Sequence, residues 1–256
     1  MLEGLFLGSI EDAAKRQESL PTAELENLAS KAPSALDALD FLSKSETIKI
    51  LAEVKRASPS RGDLAEISNP ADLAKTYADS GASAISVLTE QRKFKGTLED
   101  LVAVRATVSV PILRKDFIAN EYQILEARAA GADIVLLIVA GLDIATISRL
   151  KRFVEELGML AFVETHSAEE VKIAVDLETK MLGVNARDLS TFETDRDLFA
   201  KIVHLIPDST IKVAESAVRN LDDIKHYRAA GADVALVGEA LVTGDAKSLL
   251  RQFTSV

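Results

Sequence analysis

Cysteine and tryptophan are absent from this sequence, and only three of its 256 residues are histidine. A chain without cysteine can form neither disulfide bonds nor thiolate metal sites, and so few histidines argue against a histidine-rich metal centre. His166, His204 and His226 fall in a predicted loop and two predicted helices. We interpret them as ordinary surface or hydrogen-bonded residues, and we expect no metal site.

Basic residues are outnumbered by acidic ones, with 30 lysines and arginines against 40 aspartates and glutamates, for a net charge of −10. Such a charge disfavours binding to nucleic acid or to an anionic membrane, although it leaves room for a local basic pocket. The amino-terminal segment carries no basic leader and no apolar run of membrane-spanning length. We therefore expect a cytoplasmic protein that binds neither nucleic acid nor membrane.

Linkers rich in glycine, serine or proline are missing too, and eight short β-branched and aliphatic runs recur instead, each followed by a helical pattern. These runs are ILAEVK at 50–55, AISVLT at 84–89, ILRKD at 112–116, IVLLIV at 134–139, LAFVET at 160–165, MLGVNA at 181–186, IKVAES at 211–216 and VALVGE at 234–239. Alternating strands and helices predict a parallel sheet covered by helices, and eight such units favour a closed (β/α)8 barrel, the TIM-barrel class. We expect one domain over 1–256, with the barrel at 48–256 and a helical extension at 1–47.

The helical extension is predicted to form helices at about 3–17, 22–30 and 34–42, and we expect them to lie across one end of the barrel. The first barrel helix is predicted to begin at Asn69-Pro70, because asparagine caps a helix and proline suits its first turn. The phrases SGASAISVL, AGADIVLLI and AGADVALVG each place a glycine at a helix end before a strand. This repetition supports one architecture throughout.

Polar residues, and one glycine, end most of the eight runs, at the carboxyl ends where the active sites of such barrels lie. They are Glu53 with Lys55, Lys115 with Asp116, Glu164, Asn185 with Arg187, Glu215 with Ser216, and Gly238 with Glu239. On a single strand, a terminal charge most often marks the point where the chain reaches water. Because alternation puts Lys115 on the face of Leu113, and Glu164 on the face of Phe162, we predict instead that these groups converge in the barrel mouth.

Two further expectations concern residues near these strand ends. Arg114 faces away from Lys115, toward the helices, where we expect it to be solvated or paired with a carboxylate. The loops after strands seven and eight of this fold often bind phosphate through backbone amides. ESAV at 215–218 and VGEALV at 237–242 supply small residues for such a site, although Gly-Glu-Ala can equally be a plain helix start.

The motifs AEVKRASPSRG, PILRKDF, VLLIVA, FVETH, GVNARDL, VAESAV and VGEALV occur in that order along the chain. Together they resemble the indole-3-glycerol phosphate synthase family of tryptophan biosynthesis over residues 48 to 252. The resemblance implies a carboxy-lyase that converts 1-(2-carboxyphenylamino)-1-deoxyribulose 5-phosphate to indole-3-glycerol phosphate, with loss of carbon dioxide and water. It implies a small phosphorylated substrate and no cofactor, and we expect a monomer.

The resemblance also implies roles for individual residues. Lys115 resembles the general acid of ring closure, and Glu164 and Lys55 resemble the other proton-transfer groups. The supporting residues by the same mapping are Glu53, Asn185, Glu215 and Ser216. The residues assigned to the substrate are Phe94 and Phe117 at its aromatic ring, Arg187, and Ser58, Ala217, Gly238 and Glu239 around its phosphate. Which of Lys55 and Lys115 acts at which step stays open.

Two positions depart from the family pattern, which often has glycine at Ala217 and asparagine or serine at Ala186. We expect Ala217 to crowd a backbone contact to phosphate slightly. A barrel resembling phosphoribosylanthranilate isomerase is an alternative, but it usually depends on a cysteine, which this chain lacks. A catalytically silent barrel kept as a binding partner would predict loss of the charged strand ends, yet all are present.

Overall fold

Eight parallel strands form a closed barrel in the computed structural model, which describes residues 2–59, 61–188, 191 and 193–256. The strands are β1 Lys49–Val54, β2 Ala84–Leu88, β3 Ile112–Lys115, β4 Ile134–Ile138, β5 Leu160–Thr165, β6 Met181–Asn185, β7 Ile211–Glu215 and β8 Val234–Val237. Each strand pairs with its neighbours in the chain, and β1 closes the ring by pairing with β8, with Leu51 opposite Leu236. The predicted TIM-barrel class is therefore confirmed.

Helices precede the barrel and cover its outside. They are α1 Leu2–Ser19, α2 Thr22–Lys31, α3 Ala38–Leu42, α4 Pro70–Asp79, α5 Leu98–Arg105, α6 Glu121–Ala130, α7 Ile144–Glu156, α8 Ala168–Asp176, α9 Leu198–Ile202, α10 Leu221–Ala229, α11 Glu239–Thr243 and α12 Ala246–Phe253. As predicted, Asn69 caps α4 by accepting a hydrogen bond from the N–H of Ala71. In the part of the chain that the structure describes, no helix is long and apolar enough to cross a membrane.

Alternation along the strands separates two apolar layers. Inward side chains such as Leu113, Phe162 and Val213 fill the barrel, whereas their sequence neighbours pack against the helices. The last inward positions of the same three strands are Lys115, Glu164 and Glu215. The alternation that builds the core therefore also carries these charged groups into the barrel mouth.

The three extension helices contact different parts of the barrel, so they do not all lie at one end as expected. Phe6 of α1 packs edge-on against Phe117 at the mouth, with ring centroids 5.5 Å apart. At the opposite end, Leu42 of α3 joins the interior cluster with Leu51 and with Ala84, the first residue of β2. The helix α2 packs against α6 on the outside of the barrel.

The third extension helix begins at Ala38 and not at residue 34 as predicted. Asp37 caps this helix with its side chain. The preceding N–H, on Leu36, donates to Oδ1 of Asp133 at 2.7 Å. This segment is thus tied to the barrel by a buried carboxylate and does not extend the helix.

Arg114 is completely buried and paired with carboxylates. Of the two alternatives predicted for it, the paired one is present. Its guanidinium lies 3.1 Å from Asp116 and 3.3 Å from Glu126 on α6. The other oxygen of Glu126 pairs with Arg16 of α1 at 2.5 Å. Ser9 of α1 donates to Asp116 at 3.0 Å. A buried polar network therefore attaches α1 to the residue that follows Lys115 in the chain.

Asp133, at the end of the AGAD phrase, generates a prediction about stability. Its buried carboxylate accepts hydrogen bonds from the N–H groups of Leu36 and Ile112, at 2.7 and 2.8 Å, and from Arg105 at 2.7 Å. Asp133→Ala leaves these donors unpaired, and we expect it to lower the free energy of unfolding by about 3 kcal/mol in urea titrations.

Asp208→Ala serves as the control, because Asp208 is exposed and its ion pair with Lys212 lies on the surface. We expect that change to lower stability by less than about 0.5 kcal/mol. Equal losses in the two variants would contradict the role given to Asp133.

Candidate active site

The carboxyl ends of the strands open into a cavity of about 470 Å³. All the predicted site residues except Glu215 line it, namely Glu53, Lys55, Ser58, Phe94, Lys115, Phe117, Glu164, Asn185, Arg187, Ser216, Ala217, Gly238 and Glu239. Glu215 is buried beside it, with Oε2 3.0 Å from Nζ of Lys115. The structure therefore brings the whole predicted set together, while Ser60 of the SPSRG motif lies outside the described residues.

The ammonium of Lys115 lies among three carboxylates from three other strands. Its Nζ is 3.0 Å from Glu215, 3.4 Å from Glu53 and 3.9 Å from Glu164. Burial opposes the charged form, but the three carboxylates outweigh it and raise the pKa of Lys115 well above its ordinary value. Lys115 is consequently held as a cation that can stabilise developing negative charge.

Glu53 and Lys55 form a second ion pair in the mouth. Nζ of Lys55 lies 2.7 Å from Oε1 of Glu53. Burial alone would raise the pKa of Glu53, yet Lys55 and Lys115 together lower it, so this carboxylate stays ionised. Both side chains line the cavity, as predicted, which explains why the apolar strand β1 is followed by two opposite charges.

Glu164 and Glu215 differ in their electrostatic surroundings. Burial and the nearby Glu164 carboxylate raise the pKa of Glu215 to about 8, against the opposing effect of Lys115. The pKa of Glu164 is lowered despite burial, through His166, Lys115 and Asn185. Two carboxyl groups with pKa values moved in opposite directions are suited to act as an acid and a base.

Two glycines, one on β6 and one directly after β8, make room for the carboxylates of the site. A Cβ at Gly183, on β6 between the strands of Glu164 and Glu215, would lie 2.2 Å from Oε1 of Glu215. A Cβ at Gly238 would lie 2.5 Å from Oε1 of Glu53. Gly183 was not identified from the sequence, since a glycine inside a strand gives no sign of the side chain that needs its space.

The loop after β7 contains two residues in the left-handed region of the backbone, Ser216 with φ 67° and Ala217 with φ 58°. Glycine adopts this conformation freely, whereas alanine pays about 1 to 2 kcal/mol of strain. Ala217, where the family often has glycine, is therefore in a strained backbone conformation. The hydroxyl of Ser216 donates to Oδ1 of Asn185 at 2.8 Å, which links the ends of β6 and β7.

The start of α11 lies directly after β8. This helix runs from Glu239 to Thr243 with Gly238 as its N-cap residue, so the plain helix start considered for Gly-Glu-Ala is present. Gly238 and Glu239 nevertheless line the cavity. Their predicted contact with phosphate stays a prediction.

Aromatic side chains form one wall of the cavity. The rings of Phe94 and Phe117 lie 6.2 Å apart. Glu90, which the sequence analysis missed, is buried beneath the loop that carries Phe94. Its carboxylate accepts hydrogen bonds from three consecutive N–H groups, those of Arg92, Lys93 and Phe94, at 2.7 to 3.0 Å. Glu90 thereby determines the shape of this loop.

Arginines also line the cavity. Besides the predicted Arg187, these are Arg61, Arg196 and Arg219, none of which the sequence analysis identified. Arg196 and Arg219 both pair with Asp223, at 3.0 and 3.2 Å. A chain of net charge −10 therefore presents a local basic region that suits an anionic ligand.

The three histidines occupy different environments. His204 is exposed, and His226 lies 3.2 Å from Asp197 on the surface. His166 is mostly buried, and its ring lies 3.2 Å from both Glu164 and Glu170. The expectation of ordinary histidines therefore holds for the first two, while His166 contacts a predicted catalytic residue.

The chain is similar to known proteins over nearly its whole length. A sequence model described as indole-3-glycerol phosphate synthase matches residues 3–253. The indole-3-glycerol phosphate synthase of Leifsonia xyli subsp. xyli (strain CTCB07) is 55% identical over 100% of this chain and 98% of the relative. The chain belongs to the indole-3-glycerol phosphate synthase family. A protein of that name from Arthrobacter sp. (strain FB24) is 51% identical, over 95% of this chain and 91% of its own length.

Solved structures show the same fold at low sequence identity. The 3-hexulose-6-phosphate synthase from Salmonella typhimurium superposes with a TM-score of 0.64 at 17% identity, covering 81% of this chain and 97% of that one. Thiamine phosphate pyrophosphorylase from Pyrococcus furiosus gives a TM-score of 0.62 at 15% identity, covering 81% and 94%. These likenesses concern the barrel alone, and the family resemblance drawn from the motifs is confirmed by the sequence relatives.

The raised pKa of Glu215 leads to a prediction for this family member. The folded chain keeps a proton that the unfolded chain releases between about pH 4.5 and 8, so this contribution to stability is lost as pH rises through that window. Glu215→Gln removes the titration. In the parent, the free energy of unfolding should fall as pH rises from 5 to 9. In the variant, we expect this fall to be smaller by at least about 1 kcal/mol.

Urea titrations at several pH values measure this difference. Glu156→Gln is the control, because Glu156 is exposed on α7 and should leave the pH dependence of the parent intact. Parallel pH profiles for Glu215→Gln and the parent would show that Glu215 is ionised throughout.

Proposed function

We propose that this family member converts 1-(2-carboxyphenylamino)-1-deoxyribulose 5-phosphate to indole-3-glycerol phosphate, as a carboxy-lyase. The single observation that carries the proposal is the Lys115 ammonium, held among three buried carboxylates at the wall of the cavity. The cavity, at about 470 Å³, is of the size that encloses a small organic ligand. Its aromatic wall and its arginines suit the two ends of a substrate that carries a benzoate at one end and a phosphate at the other.

Ring closure is the step that most needs a cation. The aromatic carbon that bears the carboxylate attacks the ketone carbon, a carbon–carbon bond forms, and the ketone oxygen takes up a proton. Lys115 donates that proton and stabilises the charge that develops on the oxygen, which is typically worth about 10² to 10⁴ in rate. The carboxylates around Lys115 hold the ammonium in place before the substrate arrives.

Loss of carbon dioxide then restores the aromatic ring, and the hydroxyl formed from the ketone leaves as water. Departure of the hydroxyl needs a proton, and a neighbouring carbon must give one up to a base. Glu164 is suited to the base, because it is ionised and its Oε2 is buried without a hydrogen-bond partner among the described residues. Lys55, paired with Glu53, is suited to the departing hydroxyl or to the substrate carboxylate.

The proposal also covers the location, the oligomeric state, the cofactor requirement and the domain organisation of the molecule. The enzyme acts in the cytoplasm as a monomer, without a cofactor, and residues 1–256 behave as one domain. Light scattering on the purified chain tests the monomer. Product formation, followed by indole fluorescence with a chelator and no added metal, tests the activity and its independence of metal together.

Lys115→Ala tests the general acid. Because an interaction made in the transition state is lost, we expect kcat to fall at least about a hundredfold while a substrate analogue still binds through the phosphate. Steady-state kinetics and an analogue titration measure the two effects. Lys75→Ala, at an exposed residue of α4, is the control and should behave as the parent. Near-normal kcat for Lys115→Ala would overturn the assignment.

Lys55→Ala is expected to behave differently. Lys55 pairs with Glu53 at the side of the mouth and lies next to the loop of Ser58. Its loss should raise KM and lower kcat together, because both a binding and a proton-transfer contact disappear. A change confined to kcat would give Lys55 the role now assigned to Lys115.

A further inference from the structure

His166 stands between the end of β5 and the start of α8, behind the wall of the active site. Its side chain is only 11% exposed. Nε2 lies 3.2 Å from Oε1 of Glu164, and Nδ1 lies 3.2 Å from Oε2 of Glu170. His166 does not line the cavity, so it can influence the reaction only through Glu164.

Glu170 is itself held in place by the first turn of α8. Ser167 caps this helix, and its hydroxyl accepts the N–H of Glu170 at 3.2 Å. In return, Oε2 of Glu170 accepts the backbone N–H of His166 at 2.8 Å. The imidazole of His166 is therefore held by a carboxylate whose own position is set by the start of a helix.

The two oxygens of Glu164 have different surroundings. Oε1 accepts a hydrogen bond from Nδ2 of Asn185 at 3.1 Å and faces His166. Oε2 is buried without a hydrogen-bond partner among the described residues and lies 3.9 Å from Nζ of Lys115. Holding Oε1 leaves Oε2 directed at the position where the substrate would lie.

We propose that His166 is a positioning residue, an imidazolium that is oriented by Glu170 and that keeps Glu164 ionised with its Oε2 turned toward Lys115. This inference rests on the proposed function, because it concerns the base assigned there. The contact between Nε2 and Oε1 does not meet hydrogen-bond geometry, so the interaction is one of charge.

The charges around His166 support the imidazolium form. Burial would lower the pKa of His166, but the facing carboxylates of Glu164 and Glu170 raise it to about 10. The turn Val139–Gly141, which packs against both β5 and α8, carries no titratable side chain. Lys115 faces the far oxygen of Glu164.

The first test follows the imidazoles by NMR and needs no catalysis. The chain has only three histidines, so their ring signals can be assigned with His166→Gln, His204→Ala and His226→Ala. We expect the His166 ring to stay protonated at pH 8 and to lose its proton at lower pH in Glu170→Gln. A His166 ring that is neutral at pH 7 in the parent would overturn the proposal, even if the substrate were not turned over.

The second test uses kinetics and separates positioning from folding. We expect His166→Gln, which offers an amide donor without charge, to lower kcat at least about tenfold with KM within twofold of the parent. The acidic limb of the kcat/KM profile should move to higher pH, because Glu164 without its cation is protonated sooner as pH falls. Glu170→Gln should produce the same changes to a smaller extent.

His204→Ala, at an exposed histidine, is the matched control. A kcat within twofold of the parent and an unmoved acidic limb for both His166→Gln and Glu170→Gln would overturn the proposal. If His166→Gln fails to fold, Glu170→Gln decides, since it retains the imidazole. A parent that folds but does not turn over the substrate would contradict the proposed function, and the NMR titration would then judge His166 alone.

Discussion

The attraction between the buried ammonium of Lys115 and the carboxyl groups of three glutamates, two of them ionised, is the interaction on which the site depends. Lys115, Glu53, Glu164 and Glu215 come from four strands, and removing the lysine would leave buried carboxylates without their cation. Removing several charges from water costs several kcal/mol each, so the packed layer beneath them must be rigid enough to keep their distances short. Leu113, which alternates with Lys115 on β3, belongs to that layer.

The outer face of β3 supports the same cluster from behind. Arg114 is buried among carboxylates, and Asp116 accepts hydrogen bonds from Ser9 of α1 and from Thr89 at the end of β2. Lys115 thus lies between two residues that the helix-facing side holds in place. The amino-terminal helix α1 contributes to the site both through this network and through Phe6, which packs on Phe117.

Sequence reasoning succeeded where a periodic backbone determines direction. Alternation along a strand is enough to place Lys115 and Glu164 in the mouth, since a strand has only two faces. Sequence reasoning failed for residues whose side-chain position depends on the tertiary structure. Arg196 and Arg219 lie in loops without a period, and Gly183 is needed because Glu215 and Phe162 occupy the space beside it from the two neighbouring strands. His166 was interpreted as an ordinary histidine, but its link to Glu164 could have been predicted, because it continues the alternation of Glu164 beyond the end of β5.

The pairing of β1 with β8 has a consequence for the time at which activity can appear. Glu53 lies on the first strand to be synthesised, and the glycine that leaves room for its carboxylate, Gly238, follows the last strand. During translation, seven strands and their helices can form local contacts while the ring is still open. The ring that holds the charge cluster closes only when β8 pairs with β1, so we expect a chain that stops before β8 to be inactive.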